Sequence, residues 1–213
     1  MTPLEENYSI DEAMVPYYGR HSCKHVSIDL NWFDPYQGKS STIAEGYKRF
    51  GLGGSVILEF ADVLQGRDPT LPVHLFFDNY FSSIPLLHEL SNRSLRATGT
   101  IRENRTSKCP LESNKDFKNT DRGSFVFKSS LPTNILVCKW NDNIVVTVAS
   151  NTETVEPLQK VKRFSQELKR FVHIDQPSVI RKYNENMGGV SDFYSWQEML
   201  FFTVLSHLRY GCV

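Results

Sequence analysis

The chain has 213 residues, which is enough for one domain with a full hydrophobic core and a small insertion. Lysine plus arginine and aspartate plus glutamate each number 24, so the net charge is zero. This balance argues against a protein that coats nucleic acid with a uniformly basic surface. No apolar stretch approaches the length of a membrane span, and the four scattered cysteines are typical of free thiols in a reducing compartment.

The first part of the chain predicts little regular structure before one amphipathic helix. Residues 1–25 are predicted to be an irregular lead-in segment with a short helix near residues 11–14, and residues 26–36 look extended. Gly54 is a candidate cap for a helix over residues 55–64, because apolar side chains recur there at helical spacing.

Residues 73–77 are the clearest predicted element, an apolar run of the kind found in strands covered on both faces. His74 lies inside this run and is interpreted as a core histidine with satisfied hydrogen bonds. Ser82 or Ser83 can cap the helix that follows, and residues 95–101 are predicted to be another strand.

A β-rich segment comes next. Residues 102–122 are polar and loop-like, whereas residues 124–128 and 135–149 alternate in hydrophobicity like a β-meander, with a hairpin turn at residues 141–143. Strand–helix–strand followed by a meander indicates an α/β fold with a β-rich insertion at about residues 115–150.

The last part of the chain predicts helices. Residues 157–170 are predicted to be a basic linker or helix, and residues 178–187 a helix that ends at Gly188-Gly189. A further apolar helix is predicted over residues 196–210.

Asp78 is the candidate for chemistry. It stands at the carboxyl end of the strand over residues 73–77, which is where open α/β sheets carry their functional groups. A carboxylate there can be a metal ligand, or it can cap the turn and helix that follow. One carboxylate alone is a poor Mg²⁺ site, so further ligands are required.

Two groups of basic residues follow Asp78 in the chain. The first is a candidate DNA-binding surface, because a loop after a strand suits phosphate contacts, and a solvated loop is the alternative. Its members are Arg93, Arg96, Arg102, Arg105 and Lys108. The second is interpreted as a solvated face, as charge runs usually are. Its members are Lys160, Lys162, Arg163, Lys169 and Arg170.

Six short segments in order carry a resemblance to a known family. They read DEAMVPYYGR from residue 11, PYQGK from residue 35, GLGG from residue 51, FDNYFSS from residue 77, ATGTIRENR from residue 97 and YNENMGGV from residue 183. Together they resemble the piggyBac transposases and their transposable element-derived relatives over roughly residues 10–190. Residues 26–213 are accordingly predicted to be a truncated piggyBac-type transposase domain.

The resemblance implies an incomplete ribonuclease H-like core. It also implies three catalytic aspartates that bind two divalent cations, Mg²⁺ or Mn²⁺, for cleavage and transfer of DNA strands. DNA as the partner and the nucleus as the location follow from the same resemblance.

The chain departs from the family pattern at two of the three aspartates. Asp78 matches the second. A shortened stretch before residue 35 is predicted to remove the opening strand and the first aspartate, and Asp29 lies nearby without aligning. Ser191 stands at the third position, and Asp192 comes one residue late, which on a helix turns the side chain by about 100°.

Three functional readings remain open. The first is a catalytically inactive, transposable element-derived domain with residual DNA binding. The second is an active metal-dependent nuclease or transposase that uses Asp78 with Asp29 or Asp192. The third is an unstable product, because the loss of the first strand would open the core.

Overall fold

The structure is a computed structural model that describes residues 6–13, 25–29, 32–36 and 44–187. The helices are α1 (Gly51–Arg67), α2 (Ile84–Asn92), α3 (Asn114–Phe117) and α4 (Ser178–Met187), with 3-10 helices at Glu45–Phe50 and Glu103–Arg105. The strands are β1 (Glu6–Ala13), β2 (His25–Asp29), β3 (Trp32–Tyr36), β4 (Val73–Phe77), β5 (Arg96–Thr100), β6 (Phe125–Ser130), β7 (Ile135–Asn141), β8 (Val145–Ser150), β9 (Gln159–Ser165) and β10 (Arg170–Gln176).

Eight of these strands form one mixed sheet in the order β3-β2-β1-β4-β5-β8-β7-β6. The three strands β1, β4 and β5 are parallel to one another, and every other pair is antiparallel. The predicted meander is confirmed as β6, β7 and β8. It extends the main sheet, because β8 pairs with β5.

Alternate residues along the strands enter two separate hydrophobic clusters, one on each face of the sheet. Leu75 and Phe77 of β4 pack with helices α1 and α2 on one face. Cys138 and Trp140 of β7 pack with α4 and with the β9–β10 hairpin on the other face. The sheet is therefore covered on both sides, which explains why all of β4 is buried.

The predicted short helix at residues 11–14 is wrong, because residues 6–13 form strand β1. Ile10 is buried in the core, and the ring of Tyr8 packs edge-on against Phe60 at 5.6 Å. These side chains alternate along β1, and parallel pairing with β4 outweighs the local preference for a helix. The place beside β4, which the shortened stretch before residue 35 was predicted to leave open, is filled by β1.

Helix α1 begins earlier than predicted, at Gly51, so Gly54 lies inside the helix and does not cap it. The reason is close packing. A Cβ on Gly53 would stand 2.8 Å from the carbonyl oxygen of Tyr80, and one on Gly54 would stand 2.8 Å from Cβ of Phe50. The two glycines therefore allow the helix to approach its neighbours, which a breaker-based interpretation cannot anticipate.

The basic linker or helix predicted at residues 157–170 is wrong as well, because these residues contribute to the antiparallel hairpin of β9 and β10. Val161, Val172 and Ile174 pack on the second hydrophobic cluster. Since the intervening residues are mostly charged, the period-two pattern is weak in the sequence, and burial against that cluster decides the structure.

Other local predictions are confirmed. The hydroxyl of Ser83 accepts a hydrogen bond from the Leu86 N–H and caps α2. His74 is buried and lies 2.9 Å from the Thr98 hydroxyl. Cys109 and Cys138 carry free thiols. The glycine stop after α4 and the helix at residues 196–210 lie outside the described residues.

Within the described part of the chain, no helix combines the length and apolar character that crossing a bilayer requires.

Candidate functional site

Two carboxylates come together at one edge of the sheet. The parallel register pairs Ile10 of β1 with Phe77 of β4, and the next residue on each strand is an aspartate, Asp11 and Asp78. Neighbouring strands lie about 4.8 Å apart, and parallel strands present their carboxyl ends at the same edge. The fold therefore places Asp11 beside Asp78.

Burial raises the pKa of the Asp78 carboxyl above its ordinary value, and the carboxylate of Asp11 raises it further. The backbone N–H of Tyr80, which donates to Oδ1 of Asp78 at 2.8 Å, and the charge of Arg102 act in the opposite direction. Two close carboxylates repel each other, and a cation between them would relieve that repulsion.

Helix α4 covers this site from the second face of the sheet. The Ser9 hydroxyl donates to the Asn186 carbonyl at 2.5 Å, and Ser9 shares a face of β1 with Asp11. The Tyr183 hydroxyl lies 3.3 Å from the Thr100 hydroxyl. Burial raises the pKa of the Tyr183 phenol, and the charges of Asp78 and Asp11 raise it further. The phenol therefore lies within electrostatic range of both carboxylates.

Asp11 is the functional candidate that sequence reasoning missed. Its signal is the same as that of Asp78, a carboxylate directly after a buried apolar strand residue. The signal was hidden because residues 11–14 look helical by composition. Asp29, the alternative ligand, directly follows Ile28 of β2, which pairs with Asp11. Because β2 lies on the far side of β1 from β4, about two strand spacings separate it from Asp78. Ser191 and Asp192 lie outside the described residues.

Asp11 and Asp78 are a chemically suitable, incomplete donor set for a divalent cation. Carboxylate oxygens are the ligands that Mg²⁺ prefers, and Mg²⁺ sites commonly use one or two carboxylates together with substrate phosphates and water. Within the described ranges no group of three or more His, Cys, Asp or Glu side chains could hold a metal ion. The pair therefore fits a cation that shares its coordination shell with a phosphate.

Two of the five predicted DNA-binding residues lie close to Asp78. Arg102 is exposed, and its Nε donates to Oδ1 of Asn79 at 2.8 Å. Arg105 donates to the Tyr80 carbonyl at 2.5 Å and to the Asn79 carbonyl at 3.3 Å, so it braces the loop after β4. Arg102 is thus the arginine that can reach a phosphate bound at the carboxylates.

The other three lie elsewhere, so the five do not form one surface. Arg96 begins β5 at the opposite edge of the sheet and donates to the Pro72 carbonyl at 3.2 Å. Arg93 pairs with Asp62 and Glu89. Lys108 is exposed beside a cavity of about 170 Å³ that Lys139 and Thr147 also line.

Comparisons with known proteins find relatives that cover most of this chain. A family model described as Transposase IS4 matches residues 25–200. The human PiggyBac transposable element-derived protein 3 is 40% identical over 88% of this chain and 34% of its own length. The human PiggyBac transposable element-derived protein 2 is 38% identical over the same shares. The chain thus spans about a third of the length of these relatives.

A solved structure shows the same fold. The cryo-EM structure of a piggyBac transposase synaptic complex with hairpin DNA matches 92% of this chain and 40% of that chain, with a TM-score of 0.61 and 18% identity. The fold and the family model together define a transposase-type protein with a ribonuclease H-like α/β core.

The chain belongs to the piggyBac transposase and transposable element-derived family, which confirms the resemblance carried by its motifs.

Proposed function

We propose that this chain is a transposable element-derived domain that binds one divalent cation through Asp11 and Asp78 and contacts DNA at the same edge, without transferring strands. The register that sets Asp11 beside Asp78 carries the proposal. The exposed guanidinium of Arg102, hydrogen-bonded to the residue after Asp78, supports a phosphate contact there.

The chain's own groups would each have a defined part. Asp11 and Asp78 would hold Mg²⁺ or Mn²⁺, and Arg102 would bind a phosphate oxygen next to it. Tyr183 would hold an oxygen near the carboxylates by hydrogen bonding and shield the site from one side. When bound, the cation would supply Lewis-acid polarisation of a phosphate and a more acidic water molecule.

The small number of carboxylate ligands supports the proposed absence of strand transfer. Two cations a few ångströms apart need several converging carboxylates, because each carries two charges and takes hard oxygen ligands. The family resemblance puts Ser191 at the third aspartate position, and a serine hydroxyl brings no negative charge. Two carboxylates support one cation better than two.

A thermal melt of the full chain with Mn²⁺, Mg²⁺ or EDTA tests the cation site. We expect Mn²⁺ to raise the melting temperature, because a ligand that binds only the native state adds about 2.7 kcal/mol at a hundredfold excess over its Kd. The shift should vanish in Asp11→Asn and in Asp78→Asn. Asp68→Asn is the matched control, because Asp68 is an exposed carboxylate at the end of α1, remote from this site. A Mn²⁺ shift of equal size in all four proteins would overturn the site.

A metal-dependent DNA nuclease is the second candidate, and Asp11 favours it, since it adds a second carboxylate beside Asp78. Incubation of supercoiled plasmid with the chain and Mn²⁺ separates the two. Nicking that is lost in Asp78→Asn and in Asp11→Asn would replace the first proposal with the second. Intact plasmid together with a Mn²⁺ melting shift would support the first.

The proposal also needs a stable fold and a nuclear location. The unbroken strand order through β1 supports a stable sheet, and a cooperative melt with a protease-resistant fragment is the expected outcome. The family resemblance supports the nucleus, and microscopy of a fluorescent fusion in cultured cells tests this. A fusion that stays outside the nucleus would contradict the location.

A further inference from the structure

The outer face of the β9–β10 hairpin combines exposed aromatic rings with cations. Phe164 and Phe171 are paired across the two strands and remain 41% and 58% exposed, with ring centroids 5.4 Å apart. The ammonium of Lys162 lies 4.4 Å from the Phe171 ring centroid. The turn between the strands adds exposed Leu168 and Lys169.

These exposed rings lie on the side of the hairpin that faces away from the sheet. The opposite face, with Val161, Val172 and Ile174, packs on the second hydrophobic cluster and anchors the hairpin to the sheet. Large apolar side chains left outside a packed hairpin and flanked by cations point to a binding surface. The interpretation of this segment as a merely solvated charge run does not account for the aromatic pair.

The charge of the hairpin is strongly biased. Residues 159–176 contain five lysines and arginines and two acidic residues, Glu167 and Asp175. Lys160 pairs with Asp175, and Arg163 pairs with Asp142 at the end of β7. Among the described residues no ion pair engages Lys162, Lys169 or Arg170, so their charges can attract an anionic partner.

The hairpin is held at the same edge of the sheet as the carboxylate pair. Val148 of β8 pairs on one side with Thr100, the last residue of β5, and on the other side with Cys138 of β7. Strand β7 therefore extends beyond the end of β5, to Trp140. The Trp140 indole N–H donates to the Asp175 carbonyl at 2.8 Å. Three strand spacings separate β4 from β7, about 14 Å. A single polymer bound to the hairpin could therefore extend toward Asp78.

We propose that the outer face of the β9–β10 hairpin binds single-stranded nucleic acid, with bases stacked on Phe164 and Phe171 and phosphates contacted by Lys162 and by Lys169 in the turn. Single-strand sites combine basic groups with aromatic rings on which bases stack. The rings lie on the flat face of the hairpin, which suits unpaired bases, whereas a duplex hides the faces of its bases. This surface is distinct from the carboxylate pair and does not depend on a bound cation.

Fluorescence anisotropy with a labelled 15-nucleotide oligothymidine tests the proposal, using the full chain in EDTA so that failure of the cation site does not affect the result. We expect micromolar binding that weakens as salt rises. The double substitution Phe164→Ala/Phe171→Ala should weaken binding at least tenfold, and Lys162→Gln at least twofold.

Two matched controls distinguish binding at this surface from nonspecific binding. Leu131→Ala removes a 95% exposed apolar side chain from the β6–β7 turn, and Lys115→Gln removes an exposed lysine from α3. Neither should change the affinity measurably. Melting curves of all variants should overlay, because every substituted side chain is exposed or half-exposed.

Three results would overturn the proposal. The first is affinity for the oligonucleotide that is unchanged in the double phenylalanine variant. The second is tighter binding to a 15-base-pair duplex than to the single strand. The third is hairpin-dependent binding of an acidic peptide with no binding of the oligonucleotide. An oligouridine of equal length shows whether the surface prefers RNA or DNA, and preference for either one supports the single-strand site.

Discussion

The guanidinium of Arg93 lies 2.8 Å from the carboxylate of Asp62 and ties the end of helix α2 to helix α1. The same guanidinium reaches Glu89 at 3.0 Å and the Tyr47 hydroxyl at 3.1 Å. These contacts bring α1, α2 and the preceding 3-10 helix together on one face of the sheet. Arg93 therefore has a structural role, which its position in a basic stretch of the sequence does not indicate.

Arg93→Gln should lower the free energy of unfolding by about 1–2 kcal/mol, because charged hydrogen bonds between helices are lost. Arg102→Gln should change it by less than about 0.5 kcal/mol, because that side chain is exposed. For duplex DNA binding we expect Arg102→Gln to have the larger effect. It should lower the affinity and reduce the salt dependence of binding by an amount that corresponds to about one phosphate contact. Urea denaturation and fluorescence anisotropy measure the two effects. Weaker DNA binding by a folded Arg93→Gln variant would contradict this division.

Asp78→Asn should raise the melting temperature in EDTA at pH 7. The folded pKa of Asp78 is raised, so its contribution to stability is present below the unfolded pKa of 3.8 and is lost as pH rises through the folded pKa. Ionised Asp78 therefore destabilises the fold at neutral pH. An asparagine removes that charge and keeps an oxygen for the Tyr80 N–H.

The pH dependence gives the control for this prediction. The gain from Asp78→Asn should shrink as pH falls toward 3.8. Asp68→Asn should have the opposite sign, because hydrogen bonds from Thr70 lower the pKa of Asp68, and its small contribution is present above pH 3.8. Melting curves between pH 4 and pH 8 measure both. A gain from Asp78→Asn that is independent of pH would show that charge is not its cause.

Lys139→Met should lower the free energy of unfolding by about 1–3 kcal/mol, because a hydrogen bond from a charged, buried donor is lost. The Lys139 ammonium donates to the Glu112 carbonyl at 2.5 Å, and the side chain is only 3% exposed. Lys128→Met on neighbouring strand β6 is the control, since Lys128 is exposed and should cost less than about 0.5 kcal/mol. Equal losses in the two variants, measured by urea denaturation, would count against a structural bond at Lys139.

Gly99→Ala should destabilise the fold by about 1–3 kcal/mol through overpacking. A Cβ at this position of β5 would stand 2.7 Å from the Phe77 carbonyl oxygen and 2.5 Å from the Ser82 hydroxyl. Gly66→Ala in helix α1 is the control, because nothing lies within 4 Å of its Cβ position, and it should stabilise by about 0.4–1 kcal/mol. Thermal melts of both variants measure the effects. Opposite signs are the expected result, and a neutral Gly99→Ala would contradict the close packing.

The segment from β4 to α2 could be predicted from the sequence because several local signals agree there. An unbroken apolar run, a capping serine, a proline in the first turn and regularly spaced leucines each point to the same strand and helix. The position of Asp78 at a strand end follows directly from them.

Strand β1 and the β9–β10 hairpin could not be predicted in this way. β1 is rich in acidic and polar residues, and it becomes a strand because it pairs with β4, more than sixty residues along the chain. The inner face of the hairpin has only three apolar residues, Val161, Val172 and Ile174, and these pack on the second cluster, which includes Trp140. Both elements depend on tertiary contacts. Because β1 was not predicted as a strand, Asp11 was not identified as a candidate site residue.

The order of the strands in the sheet determines which strand pairs can form early during synthesis and which must form late. Strand β1 leaves the ribosome first, yet its parallel partner β4 follows only after α1, and β5 must await β8 at residues 145–150 before it is enclosed. Pairings this distant in the chain are slow to close. Nascent β1 therefore lacks its parallel partner until the chain has been synthesised through residue 77, and we expect folding yield to depend on chaperones and on the pace of translation.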